Sequence, residues 1–116
     1  MKIRYKIYPK CSTCLKALKQ LQAKEYQIVK RDIVKETPTK QELYKWILDY
    51  GQGIKPFFNT SGMVYRELAL KDRLPDMSIE EAVELLSSNG MLIKRPLLIM
   101  ENQIIIGYKK EIYEQL

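Results

Sequence analysis

The chain has 116 residues, 46% of them apolar, which is enough for one domain with a real core and too little for two. Its net charge of +6 is skewed, with twelve Lys or Arg against five acids in residues 1–50 and eight against nine in residues 51–116, a balance that suits an anionic substrate or an acidic protein surface. The lysines are scattered outside any nucleic-acid motif, and no apolar stretch is long enough for a signal peptide or a membrane span, so direct nucleic-acid binding is not expected and a cytoplasmic location is.

Ile3, Tyr5 and Ile7 alternate with Arg4, Lys6 and Tyr8, which predicts a first strand ended by Pro9. From Ser12 to about Ala23, Cys14, Leu15, Leu18 and Leu21 predict an amphipathic helix. Tyr26 to Ile33 reads as a second strand, and a helix between two strands makes them parallel. Thr39 followed by Glu42 forms a capping box, so a helix is expected from Lys40 to Tyr50, stopped by Gly51 and burying Leu43, Trp46, Ile47 and Tyr50. Gly51 to Gly62 is too irregular for a long element, although a short helical turn fits Lys55 to Phe58. Ser78 and Glu81 repeat the capping box ahead of a helix carrying Ala82, Val83, Leu85 and Leu86 and ending near Asn89-Gly90. Leu97 to Met100 and Gln103 to Ile106 flank a two-residue link suited to an antiparallel hairpin. Lys109 to Leu116 then predicts a short helix with Ile112 and Tyr113 inward.

The order is an α/β one: a thioredoxin-like mixed β-sheet flanked by helices, with a helical insert at about residues 36–90 between an N-terminal βαβ part and a C-terminal ββα part, all in a single domain of residues 1–116.

The only two cysteines, Cys11 and Cys14, stand as Pro9-Lys10-Cys11-Ser12-Thr13-Cys14 at the strand-to-helix turn. Residues three apart in a first helical turn have Cα atoms roughly 5–6 Å apart, within disulfide range. Free amides at the helix start, with Lys10 and Lys16 nearby, favour a thiolate at Cys11. Cys11 is therefore the expected nucleophile and Cys14 the residue that resolves it. Zinc would need about four ligands, and the chain has no histidine and no third cysteine. The plainer reading of Cys14 is a small core residue on the face of Leu18 and Leu21. In the cytoplasm, where thiols are kept reduced, a close pair points to catalysis or sensing rather than to a structural staple.

Lys94-Arg95-Pro96 precedes the strand at Leu97. Proline suits the first residue of a strand, and X-Pro is the one bond for which a cis peptide is cheap, so a cis Arg95-Pro96 bond fits here. A guanidinium opposite a thiolate can stabilise the sulfur anion or grip an oxyanion; otherwise Arg95 is simply solvated.

The tracts Tyr8-Pro9-Lys10-Cys11-Ser12-Thr13-Cys14, Phe57-Phe58-Asn59-Thr60-Ser61-Gly62 with Tyr65-Arg66-Glu67-Leu68, and Asn89-Gly90-Met91-Leu92-Ile93-Lys94-Arg95-Pro96 resemble the arsenate reductase (ArsC), Spx and YffB family. The resemblance to its arsenate reductases implies that Cys11 attacks the oxyanion and Arg95 helps to cradle it, with Ser12, Thr13, Asn59 and Pro96 around the substrate. It implies no bound cofactor, and a cellular thiol reductant, glutathione or a glutaredoxin- or thioredoxin-type protein, as co-substrate. Two of the family's oxyanion-binding arginines fall at Asn59 and Tyr108, so oxyanion binding is expected to be weakened. The cysteine pair instead resembles the Spx branch, which implies a redox-sensing regulator that binds the C-terminal domain of the RNA polymerase α-subunit, with Gly53 near that branch's contact glycine.

Overall fold

The computed structural model describes residues 2–7, 12–24, 27–100 and 103–116, with the side chains of residues 2–7 and 27 left aside. The chain divides into two compact units, one formed by residues 1–32 with 95–116 and the other by residues 33–94.

The first unit is built on a four-stranded sheet in the order β2-β1-β3-β4, from β1 (Lys2–Ile7), β2 (Gln27–Asp32), β3 (Leu97–Ile99) and β4 (Ile104–Ile106). β1 and β2 are parallel, as a helix-linked pair must be, and β1 pairs antiparallel with β3 in a register of Lys6 with Leu97 and Arg4 with Ile99. β3 and β4 form the expected hairpin, in which the Met100 N–H donates to the Gln103 carbonyl at 2.9 Å; the link Glu101-Asn102 lies outside the described residues.

Helix α1 (Ser12–Gln22) joins β1 to β2, and α6 (Lys110–Glu114) follows β4. Cys14, Ala17, Leu18 and Leu21 of α1, spaced i, i+3, i+4 and i+7, form a buried cluster with Leu98, Met100 and Tyr113. Ile28, Ile105, Tyr108 and Leu116 pack against it. Two expected core residues stand outside. Leu15 is 50% exposed and Ile112 is 42% exposed. Each is one residue, about 100° of helix turn, from the buried Cys14 and Tyr113, and so falls off the narrow stripe that the sheet covers.

The second unit is mostly helical. In α2 (Lys40–Tyr50), Thr39 accepts from the Glu42 N–H at 3.1 Å while the Glu42 carboxylate accepts from the Thr39 N–H at 3.1 Å, the full capping box. Gly51 closes the helix at φ 70° with its N–H on the Ile47 carbonyl, a left-handed conformation that glycine adopts without strain. Leu43, Trp46 and Ile47 are buried, whereas Tyr50 is only half-buried, its ring edge-on to Phe57 at 5.6 Å.

In α5 (Ile79–Ser88), Ser78 accepts from the Glu81 N–H at 3.1 Å, but the Glu81 carboxylate pairs with Arg73 at 2.7 Å, so one half of that expected box serves a tertiary contact. Arg73 ends α4 (Leu70–Arg73), which follows α3 (Met63–Glu67); neither has a side-chain N-cap, and both are too short to show a periodic pattern in sequence. The loop at residues 57–59 is tied to residues 92–94 by a bridge of Phe58 with Ile93. On either side of it the Asn59 N–H donates to the Leu92 carbonyl at 2.7 Å, and the Lys94 N–H donates to the Phe57 carbonyl at 2.8 Å.

Candidate functional site

The ladder of the first unit sets the position of the site. Lys6 pairs with Leu97, so Pro96, the residue just before β3, enters the sheet at the end of β1 from which the chain leaves towards α1. The Arg95-Pro96 peptide is cis. The Pro96 carbonyl accepts from the Gly107 N–H at 2.9 Å, so the start of β3 is held between the outgoing end of β1 and the end of β4. Pro96 is buried and Arg95 half-buried.

Cys11, like Lys10, lies outside the described residues, and so does its distance to Cys14. Ser12 and Thr13 open α1 and are exposed. Cys14, on the same first turn, is 0% exposed. The two polar residues of the motif therefore face solvent while the second sulfur is sealed into the core. No acidic residue occupies the first turn of α1, so none there offsets the positive end of the helix dipole.

Asn59 belongs to the second unit, half-buried in the loop held by the Leu92 carbonyl. Its own carbonyl accepts from the Gly62 N–H at 3.0 Å, and a Cβ added at Gly62 would stand 2.9 Å from the Asn59 amide nitrogen. Beside it an open concavity of about 450 Å³ is lined by Gln52, Lys55, Pro56, Phe58, Thr60 and Lys94. Lys55 and Lys94 make it basic; because its lining residues lie on two loops far apart in the chain, no local motif announced it.

Tyr108, the other position where the family resemblance calls for arginine, is a strut. Its hydroxyl donates to Gln20 Oε1 at 2.6 Å and its ring meets Tyr113 edge-on at 4.9 Å. Tyr113, expected inward but given no role by the sequence, is 0% exposed, and its buried hydroxyl has no hydrogen-bond partner among the described residues. Burial first, then the fields of Cys14 and Tyr108, push its ionisation well above the ordinary value near 10. Among the described residues no helix is long and apolar enough to cross a membrane.

Comparison with known proteins agrees with this geometry. YusI of Bacillus subtilis is 44% identical over 115 residues, spanning 99% of this chain and 98% of its own. The regulatory protein MgsR of the same organism is 33% identical over 102 residues, spanning 87% of this chain and 79% of its own. A solved ArsC family related protein from Bacteroides fragilis superposes with a TM-score of 0.91 at 46% identity, covering 99% of this chain and 97% of that one. The ArsC family model matches residues 6–116, a span that takes in the cysteine motif, the loop at Asn59 and the Arg95-Pro96 strand start, and the chain accordingly belongs to the ArsC family.

Proposed function

We propose that this protein is a cytoplasmic thiol-disulfide oxidoreductase of the arsenate-reductase type. Cys11 attacks as the thiolate, Cys14 resolves it by closing an internal disulfide, and Arg95 stabilises the anion. With a disulfide RS–SR as oxidant, the Cys11 thiolate expels RS⁻ to form a mixed disulfide, and Cys14 then attacks the Cys11 sulfur and expels the second RS⁻. Glutathione, or a glutaredoxin- or thioredoxin-type protein, restores the dithiol in the reverse sense.

The observation that carries this reading is the complete burial of Cys14 on the first turn of a helix that opens on exposed Ser12 and Thr13. A sulfur held there is shielded from outside reagents, and its three-residue spacing from Cys11 is what supports a partner within the same chain. Arsenate is a weak substrate on this reading. Asn59 and Tyr108 replace two charge-assisted donors, each worth about 1.5–3 kcal/mol, so oxyanion affinity falls by roughly a hundredfold or more.

A second reading, a redox-sensing regulator that binds the C-terminal domain of the RNA polymerase α-subunit, is favoured by the likeness to the regulatory protein MgsR. One set of assays separates the two. For an oxidoreductase, diamide lowers the mass by two hydrogens without dimer formation, and a glutathione-linked assay with arsenate or a small disulfide consumes reductant in a way that Cys11→Ser abolishes. A regulator instead binds the purified C-terminal domain of the polymerase α-subunit with an affinity that diamide changes, and consumes no reductant. Oxidised protein that keeps two alkylatable thiols would overturn the oxidoreductase reading.

A further inference from the structure

The six residues that line the concavity of about 450 Å³, Gln52, Lys55, Pro56, Phe58, Thr60 and Lys94, all belong to the second unit. Its two segments are fixed to each other. Phe57 and Phe58 are 0% and 2% exposed, the Phe58 N–H donates to the Lys55 carbonyl at 3.0 Å, and Pro56 stiffens the short helical turn Lys55–Phe57, so the backbone that carries Lys55 is pinned. On the other segment, the Lys94 N–H donates to the Phe57 carbonyl at 2.8 Å beside the bridge of Phe58 with Ile93. Two exposed lysines far apart in the chain are thereby brought to one hollow. Neither makes an ion pair among the described residues, whereas Lys45 and Arg73 of the same unit pair with Asp49 and Glu81 at 2.7 Å. No carboxylate lines the hollow.

A cleft lined by one sign of charge focuses its field and concentrates counter-ions. Gln52 and Thr60 add neutral hydrogen-bonding groups to the two ammonium groups, and Pro56 and Phe58 add an apolar part. The volume falls within the roughly 300–1,000 Å³ of small-molecule sites and is far more than one inorganic oxyanion fills. Lysines that are merely solvated need neither a rigid frame nor a hollow. We propose that this concavity binds a small organic dianion, with carboxylate or phosphate groups on Lys55 and Lys94 and its carbon skeleton against Pro56 and Phe58. An ammonium is a point charge with rotatable donors, so it takes either kind of oxyanion, where an arginine fork would select by shape. Phe58 and Thr60 flank Asn59, and Lys94 precedes Arg95, so the ligand's contacts adjoin in the chain two positions that the family resemblance gives to the substrate. The hollow itself uses neither cysteine.

The test titrates the reduced protein at low ionic strength with glutarate and, separately, with glycerol phosphate, and follows the backbone amide signals by NMR. At least one probe should bind saturably and shift the amides of Lys55, Thr60 and Lys94, and the tighter of the two tells a carboxylate site from a phosphate site. Lys55→Gln and Lys94→Gln should each weaken binding about twofold to fivefold, as expected for solvent-exposed ion pairs, and the double variant about fourfold to twentyfold. Lys71→Gln removes the same charge from an exposed lysine of α4 outside the hollow and should bind as the wild type does. Butyrate, with one carboxylate, should bind more weakly than glutarate. All three lysines are exposed, so the urea midpoints of the variants should match the wild type and keep the comparison one of binding. No saturable shift with either probe, shifts centred away from the hollow, or equal weakening in Lys71→Gln would overturn the proposal. The titration contains no redox step, so its outcome is independent of the oxidoreductase reading.

Discussion

Gly90→Ala is expected to be among the most damaging single-methyl changes in the chain. Gly90 is buried at the end of the second unit, against the segment where that unit begins. A Cβ there would overlap the Ile33 carbonyl oxygen and stand 2.8 Å from the Ile33 carbonyl carbon and 2.9 Å from Val34 Cα. All three atoms are backbone, so no rotamer change relieves the overlap, and either residues 33–34 or the turn at Gly90–Leu92 must move. Overpacking of this kind costs about 1–3 kcal/mol and more where backbone is displaced; roughly 3 kcal/mol is expected.

Gly51→Ala is the control. Its φ of 70° imposes a left-handed strain of about 1 kcal/mol on alanine, but nothing lies within 4 Å of the added methyl. With a urea slope of about 1.5 kcal/mol per molar, typical of small domains, the two variants should lose about 2 M and about 0.7 M of midpoint. Trp46, buried in α2 of the same unit, supplies the fluorescence signal. Equal midpoints, or a larger loss for Gly51→Ala, would refute the close approach of Gly90 to Ile33.

The two helix caps should be close in worth. Thr39→Ala removes the hydroxyl that accepts from the Glu42 N–H but keeps the backbone N–H that donates to the Glu42 carboxylate, and Ser78→Ala likewise removes one bond, so each should cost about 1 kcal/mol, measured by urea unfolding. Alkaline unfolding should report Tyr113. Its folded-state ionisation lies above the unfolded value near 10, so its contribution is intact below pH 10 and is lost as pH rises beyond it, at up to about 1.4 kcal/mol per unit. Tyr113→Phe should therefore gain on the wild type steadily above pH 10, and a stability difference that stays flat between pH 8 and pH 11 would contradict the buried phenol.

Much of the architecture was legible locally. Thr39 with Glu42, Gly51, and Ser78 announce helix ends because capping and left-handed turns depend on a few adjacent residues, and the helices begin or stop there. The motif tracts at Cys11-Ser12-Thr13-Cys14 and Arg95-Pro96 marked the two strand ends that the β1–β3 register sets side by side. α3 and α4 escaped notice because helices of five and four residues complete too little of a turn pattern to be read.

Sequence alone determined the order of the strands and of the longer helices, and the cysteine motif, since each follows from spacing along one segment. Only the tertiary structure decided which way neighbours turn. Leu15 goes to solvent while Cys14 is sealed, Glu81 gives its carboxylate to Arg73 rather than to its own cap, and Tyr108 spends its hydroxyl on Gln20 while that of Tyr113 finds no partner among the described residues. Those outcomes depend on residues distant in the chain, as far apart as Gln20 and Tyr108, and a hydrogen bond or a buried face exists only when folding has brought its second partner within reach.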